Sequence, residues 1–343
     1  MRISTPSITS LERRYVAEAM AQSDIGQGPF IEMFEQSWAE YNHRQFGVSC
    51  TSGTTALYLA LKALGIGPGH TVAVPQFTMV ACAWAVSYTG ATPVFCDCGD
   101  DLLMKDFTVT RSLRAVMPVA IYGRPVSEDV YVKARAHGIP IVEDLAEGHG
   151  LAPRGDVTCY SFYGSKILTT GEGGMCLTNT SWIAEEMRLL RNMYFDKERS
   201  MIHEKIANNF RMTNLQAAVG VGQVQRAMEI IEKRLQVQAW YEEGLPERMR
   251  MPTRPTVWVM DVDCGSEVGQ VAVKEALHQS GIESRLFFKP MGEQPYYAKT
   301  RNELEKLNAF KWSRRGLYLP CWADMTKADV MEVCATIQDV VNP

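Results

Sequence analysis

This chain is short of the features that mark several large classes of protein. It has no surplus of positive charge: 35 Lys and Arg stand against 39 Asp and Glu, and no dense basic stripe occurs. A nucleic-acid-binding role therefore has no electrostatic footing. No apolar run reaches the roughly 20 residues needed to cross a bilayer, and the amino-terminal stretch has no signal-peptide core. The nine cysteines are odd in number and scattered, without a paired framework. Cys96 and Cys98 are the one close pair, and alternate residues of a strand face opposite ways, so no metal site is expected there. Reduced thiols and a cytoplasmic location fit this pattern. Internal repeats and low-complexity segments are absent too.

What is present is organised around the stretch from Ser161 to Met175. An apolar, β-favouring run from Val157 to Phe162 leads into a turn of small residues, and the stretch closes on Thr169-Thr170-Gly171-Glu172-Gly173-Gly174. Lys166 lies in the middle, framed by glycines and hydroxyls. A lysine that forms a Schiff base needs such a frame, because its amine must approach a flat cofactor closely and lose its proton easily. Upstream, the strand Phe46 to Cys50 feeds Thr51-Ser52-Gly53-Thr54, and an apolar helix follows from Thr54 to Leu64. Free backbone N–H groups and hydroxyls at a helix start form an anion site, most naturally for phosphate; an ordinary Ser N-cap has the same sequence.

Strands and helices then alternate: Thr71 to Val74, Thr78 to Tyr88, Thr92 to Phe95, Ala115 to Val119, Ser127 to His137, and Ile139 to Val142 ending at Glu143-Asp144. The alternation predicts right-handed βαβ units and a mostly parallel sheet. Chemistry in such sheets gathers at the carboxyl ends of strands. Ser52, Asp144 and Lys166 each follow one. Length favours two domains. A long helix after Thr213 carries the expected boundary, dividing 1–225 from a smaller α/β unit at 226–343. That unit should hold strands at Val257 to Val262 and Ile282 to Phe288, with a closing helix from Lys327 to Val341. Tyr194 to Asn209 is polar and aperiodic, a loop able to reach a partner subunit.

Four motifs occur in a specific order: Ser52-Gly53-Thr54, Glu143-Asp144-Leu145-Ala146-Glu147, Ser161 to Met175, and Asn209-Phe210-Arg211-Met212-Thr213-Asn214. Together they resemble the sugar aminotransferases of the DegT/DnrJ/EryC1/StrS family, nearly end to end. The resemblance implies a fold-type-I α/β enzyme with a mostly parallel seven-stranded-type sheet and pyridoxal 5′-phosphate (pyridoxamine 5′-phosphate in mid-cycle) as cofactor. It implies that Lys166 carries the cofactor and shuttles the proton, and that Asp144 pairs with the pyridinium nitrogen. Glu147 would lie near the ring hydroxyl, Ala146 within the same cofactor-binding segment, and Ser52, Gly53, Thr54 and Ser161 around the phosphate. Asn209 would reach that phosphate from the neighbouring subunit of a homodimer with shared active sites. Met79 stands where many members place an aromatic residue over the ring, and Gly292 where many place histidine near the sugar nucleotide. The surface stretches 99–109 and 150–156 are short for the family. The implied reaction moves an amino group from L-glutamate to a nucleotide-linked keto-sugar, with C4 of GDP-4-keto-6-deoxymannose the closest match; dTDP- or UDP-linked 3- or 4-keto sugars and aminocyclitols remain alternatives. A catalytically silent binding module on the same fold is disfavoured by the intact Lys166 and Asp144. His149 reads as a packed residue, and Glu172 as a cap of the glycine-rich turn.

Overall fold

The computed structural model describes residues 1–195 and 201–341. Its first seven strands are β1 (Phe46–Cys50), β2 (Thr71–Pro75), β3 (Thr92–Cys96), β4 (Leu113–Val116), β5 (Val142–Asp144), β6 (Val157–Ser161) and β7 (Gly174–Thr178). Ladders join them in the orders β3-β2-β4 and β5-β6-β7-β1. Parallel bridges between Val116 and Ile141, and between Val119 and Asp144, connect the two groups into one sheet. Only β7 runs against its neighbours in this sheet. Every residue of β6 and β7 is buried, because helices cover both faces of a parallel sheet.

The helix Gly53–Ala63 lies against β6 and β7 and buries Ala56, Leu57, Leu59, Ala60, Leu61 and Ala63. Its apolar character all round follows from being enclosed on several sides. On the helices Ser10–Ala21, Pro29–Tyr41 and Asn214–Gln225, the contacts centre on Phe34 and Trp38. Trp38 meets Tyr160, Phe162 and His149 edge-on, with ring centroids 5.1, 5.5 and 5.5 Å apart, the geometry aromatic quadrupoles favour.

A second, smaller sheet is made of β8 (Met260–Asp263), β9 (Arg285–Leu286) and β10 (Gly316–Leu319) in the order β8-β10-β9, all antiparallel. Helices Ala227–Gly244, Glu267–Gln279 and Lys327–Val341 pack with it around Val237, Tyr241 and Leu277. The chain start joins this unit. The Met1 amino group bonds the Gly281 carbonyl, and the Ile3 carbonyl accepts from Cys321 N at 3.0 Å.

Several expected elements change in the structure. The helix expected from Thr78 begins at Ala81, since Gln76 is held in an irregular turn. Its N–H bonds the Cys96 carbonyl at 2.6 Å, and its carbonyl accepts from Met291 N at 2.9 Å. The strand expected over Ile282 to Phe288 shrinks to two residues: Ile282 N closes the preceding helix on the Leu277 carbonyl, and Phe288 N donates to the Tyr122 hydroxyl. The long helix after Thr213 is two helices that meet at Arg226, whose ψ of 9° leaves the helical range. The Arg226 guanidinium reaches Glu12 at 2.9 Å and the Ser7 hydroxyl at 3.0 Å, tying the break to the first helix. The central strand β10 was not anticipated. Part of the stretch from Tyr194 to Asn209 lies outside the described residues.

Candidate active site

The turn after β6 is built by its own hydroxyls. Lys166 N bonds the Tyr163 carbonyl at 2.9 Å, and Thr170 N bonds the Phe162 carbonyl at 2.9 Å. Thr169 Oγ1 donates to the same Phe162 carbonyl at 3.0 Å and accepts from Gly171 N at 2.9 Å. Gly171 takes φ of 82°, the left-handed region that glycine enters without a Cβ clash. Glu172 plays a different part from the expected cap: its backbone carbonyl accepts from Thr170 Oγ1 at 2.7 Å and Gln216 Nε2 at 2.8 Å, while the residue is exposed.

This turn delivers Lys166 to an enclosed place. Its side chain is 12% exposed, and Nζ stands 3.7 Å from Glu147 Oε1 and 4.0 Å from the centre of the Trp258 ring. A cation over an indole face is attracted by the ring quadrupole. Trp258 is itself oriented, because Nε1 donates to the Ser165 carbonyl at 2.8 Å. Behind both, the buried Arg234 guanidinium donates to the carbonyls of Trp258 (2.9 Å), Cys321 (3.1 Å) and Lys166 (3.4 Å). One side chain thus ties the lysine turn to the smaller unit.

Asp144 ends β5, fully enclosed. Ala146 N donates to its Oδ1 at 2.8 Å, and the Cys82 thiol to Oδ2 at 3.1 Å. Burial pushes its carboxyl above the ordinary range, and these two donors oppose that. It caps no helix; the segment after it is a series of turns. Glu147 accepts from Tyr122 N at 2.7 Å, and burial pushes its carboxyl up to about 7 against the pull of Lys166. Tyr122 sits at φ 53°, strained for a residue with a Cβ; such strain persists only where surroundings impose it. Here Glu147 holds its N–H, and Phe288 N donates to its hydroxyl at 3.2 Å. His149 is a packed residue. Its ring stacks with Tyr160 and Phe162, Nδ1 accepts from Leu168 N at 3.2 Å, and burial pushes it down to about 3, so it is neutral.

Ser52 caps the helix Gly53–Ala63, its Oγ accepting from Thr55 N at 3.2 Å. Gly53 N and Thr54 N have no partner among the described residues. A Cβ on Gly53 would stand 2.7 Å from Ser161 Cβ, so the glycine is what lets the helix start close on the end of β6. That closure sets two open N–H groups beside Ser161, in a turn that also carries Ser52 and Thr54, a donor set suited to a phosphate. With an amine at Lys166 and a buried carboxylate at Asp144, these residues fit pyridoxal 5′-phosphate.

Met79 is 49% exposed, at the entry of the helix Ala81–Tyr88 that also carries Cys82. Asn209 is exposed; its backbone bridges to Asn192, and its side chain has no hydrogen bond to the other candidate residues. Within a single chain Lys166, Glu147, Asp144 and Ala146 form one cluster, and Gly53 closes on Ser161 beside Ser52 and Thr54; among the described residues no hydrogen bond ties the side chain of Met79 or Asn209 to either group. Cys82, Tyr122, Arg234 and Trp258 escaped sequence reading. Tyr122 and Trp258 stand in apolar runs that resemble any core segment, and nothing in their spacing marks them.

Known proteins place this geometry in context. A model of the DegT/DnrJ/EryC1/StrS aminotransferase family matches residues 6–338. GDP-perosamine synthase of Caulobacter vibrioides is 38% identical, covering 99% of this chain and 98% of its own length. The dTDP-3-amino-3,4,6-trideoxy-alpha-D-glucose transaminase of Streptomyces venezuelae is 40% identical over 56% of this chain and 54% of its own. The solved structure of S. venezuelae DesV in complex with a ketimine intermediate matches with a TM-score of 0.89 at 29% identity, covering 97% of this chain and 95% of that one. Spr1654 of Streptococcus pneumoniae, solved in its PLP-form, shares the fold with a TM-score of 0.91 at 22% identity, over 99% and 98% of the two chains. The chain is a pyridoxal-phosphate-dependent sugar aminotransferase, and it belongs to the DegT/DnrJ/EryC1/StrS family.

Proposed function

We propose that this enzyme moves the amino group of L-glutamate to C4 of GDP-4-keto-6-deoxymannose, yielding GDP-perosamine and 2-oxoglutarate. The observation that carries the reading is the 38% identity, over 99% of the chain, with a GDP-perosamine synthase, joined to a site in which Lys166, Glu147 and Asp144 are all present and enclosed.

Bound pyridoxal 5′-phosphate supplies the electron sink of the reaction. Ser52, Gly53, Thr54, Ala146 and Ser161 would hold it, with Met79 beside its ring. Asp144, held by Ala146 N and the Cys82 thiol, would place a negative charge at the ring nitrogen and so keep that nitrogen protonated. The Lys166 amine takes the proton from the reacting carbon of the donor and returns one to the reacting carbon of the acceptor. Glu147 orients that amine from 3.7 Å, and the Trp258 ring, 4.0 Å from it, restricts water there. Specificity resides in the nucleotide and sugar contacts, because the cofactor residues are indifferent to which molecule bears the ketone.

The division at Arg226 makes 1–225 the cofactor-binding unit and 226–343 the smaller unit, and the enzyme works in the cytoplasm. Asn209 acts across a homodimer, at the phosphate site of the neighbouring subunit; its exposure in a single chain supports this. The test is competition between GDP- and dTDP-linked 4-keto-6-deoxy sugars with L-glutamate, scored by kcat/KM and by mass spectrometry of the product. Preference for the dTDP sugar, or amination at C3, overturns the substrate and leaves the aminotransferase standing.

A further inference from the structure

Asp144 is a buried carboxylate in an unfavourable place. It forms no salt bridge among the described residues; Glu143 is a neighbouring acid that raises it, and Asp144 in turn raises Glu147. Lys166 is the cation that acts on it, through space. Stripping water from a charge in such a setting costs several kcal/mol unless hydrogen bonds replace the water. Two donors do so: Ala146 N at 2.8 Å on Oδ1 and Cys82 Sγ at 3.1 Å on Oδ2.

The amide comes from the backbone of the same turn and every residue at position 146 but proline would supply it. The thiol is a choice of side chain. Cys82 is entirely enclosed, in the first turn of the helix Ala81–Tyr88. Its sulfur also lies 3.4 Å from Thr78 Oγ1, itself 1% exposed. Since an ionised carboxylate can only accept, the S–H must point to Asp144, and the Thr78 hydroxyl then donates to the sulfur. Thr78, Cys82 and Asp144 form a directed chain of donors that ends on the carboxylate. The chain starts in the irregular turn of Gln76 to Met79, so the segment that presents Met79 also orients Asp144.

We propose that Cys82 is a positioning residue: its thiol holds Asp144 as an oriented anion and so keeps the proton on the cofactor's ring nitrogen. Without that donor the carboxylate becomes the better base of the two, and the proton moves from the nitrogen to an Asp144 oxygen. No bond other than N–H is broken and none but O–H is formed. The inference rests on the role proposed above for Asp144.

The experiment uses the holoenzyme loaded with nitrogen-15-labelled pyridoxal phosphate, as wild type, Cys82→Ala, Cys82→Ser and Asp144→Asn. The ring-nitrogen NMR shift reads where the proton is, independently of turnover. Cys82→Ala is expected to move the signal from the protonated toward the neutral position and to weaken cofactor binding by about threefold to tenfold, the effect of one weak bond to a charged group. Cys82→Ser, which keeps a donor, restores both. An unchanged shift in Cys82→Ala overturns the proposal, provided that Asp144→Asn moves the signal. A shift in Cys82→Ala that serine fails to reverse assigns the effect to lost volume and overturns it too. If Asp144→Asn leaves the signal at its wild-type position, the role of Asp144 fails, and that of Cys82 with it.

Discussion

Replacing Glu147 by glutamine should flatten part of the pH dependence of stability. Burial raises this carboxyl from an ordinary 4.5 to about 7, so the folded state favours the protonated form. The contribution is complete below the unfolded value and is lost as pH rises through the folded one. A shift of that size corresponds to roughly 3 kcal/mol, of which about 2.5 kcal/mol falls between pH 5 and pH 8. Glutamine keeps the shape and still accepts from Tyr122 N, which lies 2.7 Å from Oε2 in the wild type, but it cannot titrate. Urea unfolding of the cofactor-free protein across that range, for wild type and Glu147→Gln, isolates the term, because Asp144 and every other group are common to both. The wild type should lose about 2.5 kcal/mol relative to the variant between the two ends. Parallel curves, with a difference that stays constant within about 0.5 kcal/mol, would refute the argument that burial outweighs Lys166 at this carboxylate.

Lys166→Ala should abolish turnover and covalent attachment of the cofactor; borohydride reduction and peptide mapping that label another lysine end the assignment. Asp144→Asn should leave the fold intact, by circular dichroism, while lowering kcat by about two or more powers of ten, each worth about 1.4 kcal/mol of barrier. Met79→Trp should slow loss of cofactor on dialysis by about fivefold, through stacking worth on the order of 1 kcal/mol; equal or faster loss means Met79 does not face the ring. Asp261 is buried between two guanidiniums, 2.6 Å from Arg124 Nη2 and in contact with Arg254 Nη1. Asp261→Asn strands both cations and should cost about 3–5 kcal/mol in urea unfolding, as removal of one partner from a buried ion group does.

The local signals in this chain were strong where one strand or turn contained everything required. The hydroxyls and glycines from Ser161 to Gly174 form the turn that presents Lys166. Ser52 shows the limit of such reading: its side chain is the helix cap, while the adjacent N–H groups of Gly53 and Thr54 are the open donors. Both roles come from the same three residues, and only atomic positions separate them. The same holds for the helix start near Thr78, where a periodic run was interrupted because Gln76 bonds β3 and the loop at Met291.

By itself the sequence determined the alternation of strands and helices, the lysine turn and the acid at the end of β5, since each depends on periodicity or on neighbours in the chain. Tertiary structure alone decided which distant groups meet these residues. Trp258 and Arg234 come from beyond residue 225 to hold Lys166, Tyr122 adopts a strained backbone to hold Glu147, and Cys82 turns its thiol on Asp144. The physical reason is range: backbone propensity and hydrophobic period act over a few residues, whereas a buried charge takes its hydrogen bonds from whatever the fold packs beside it.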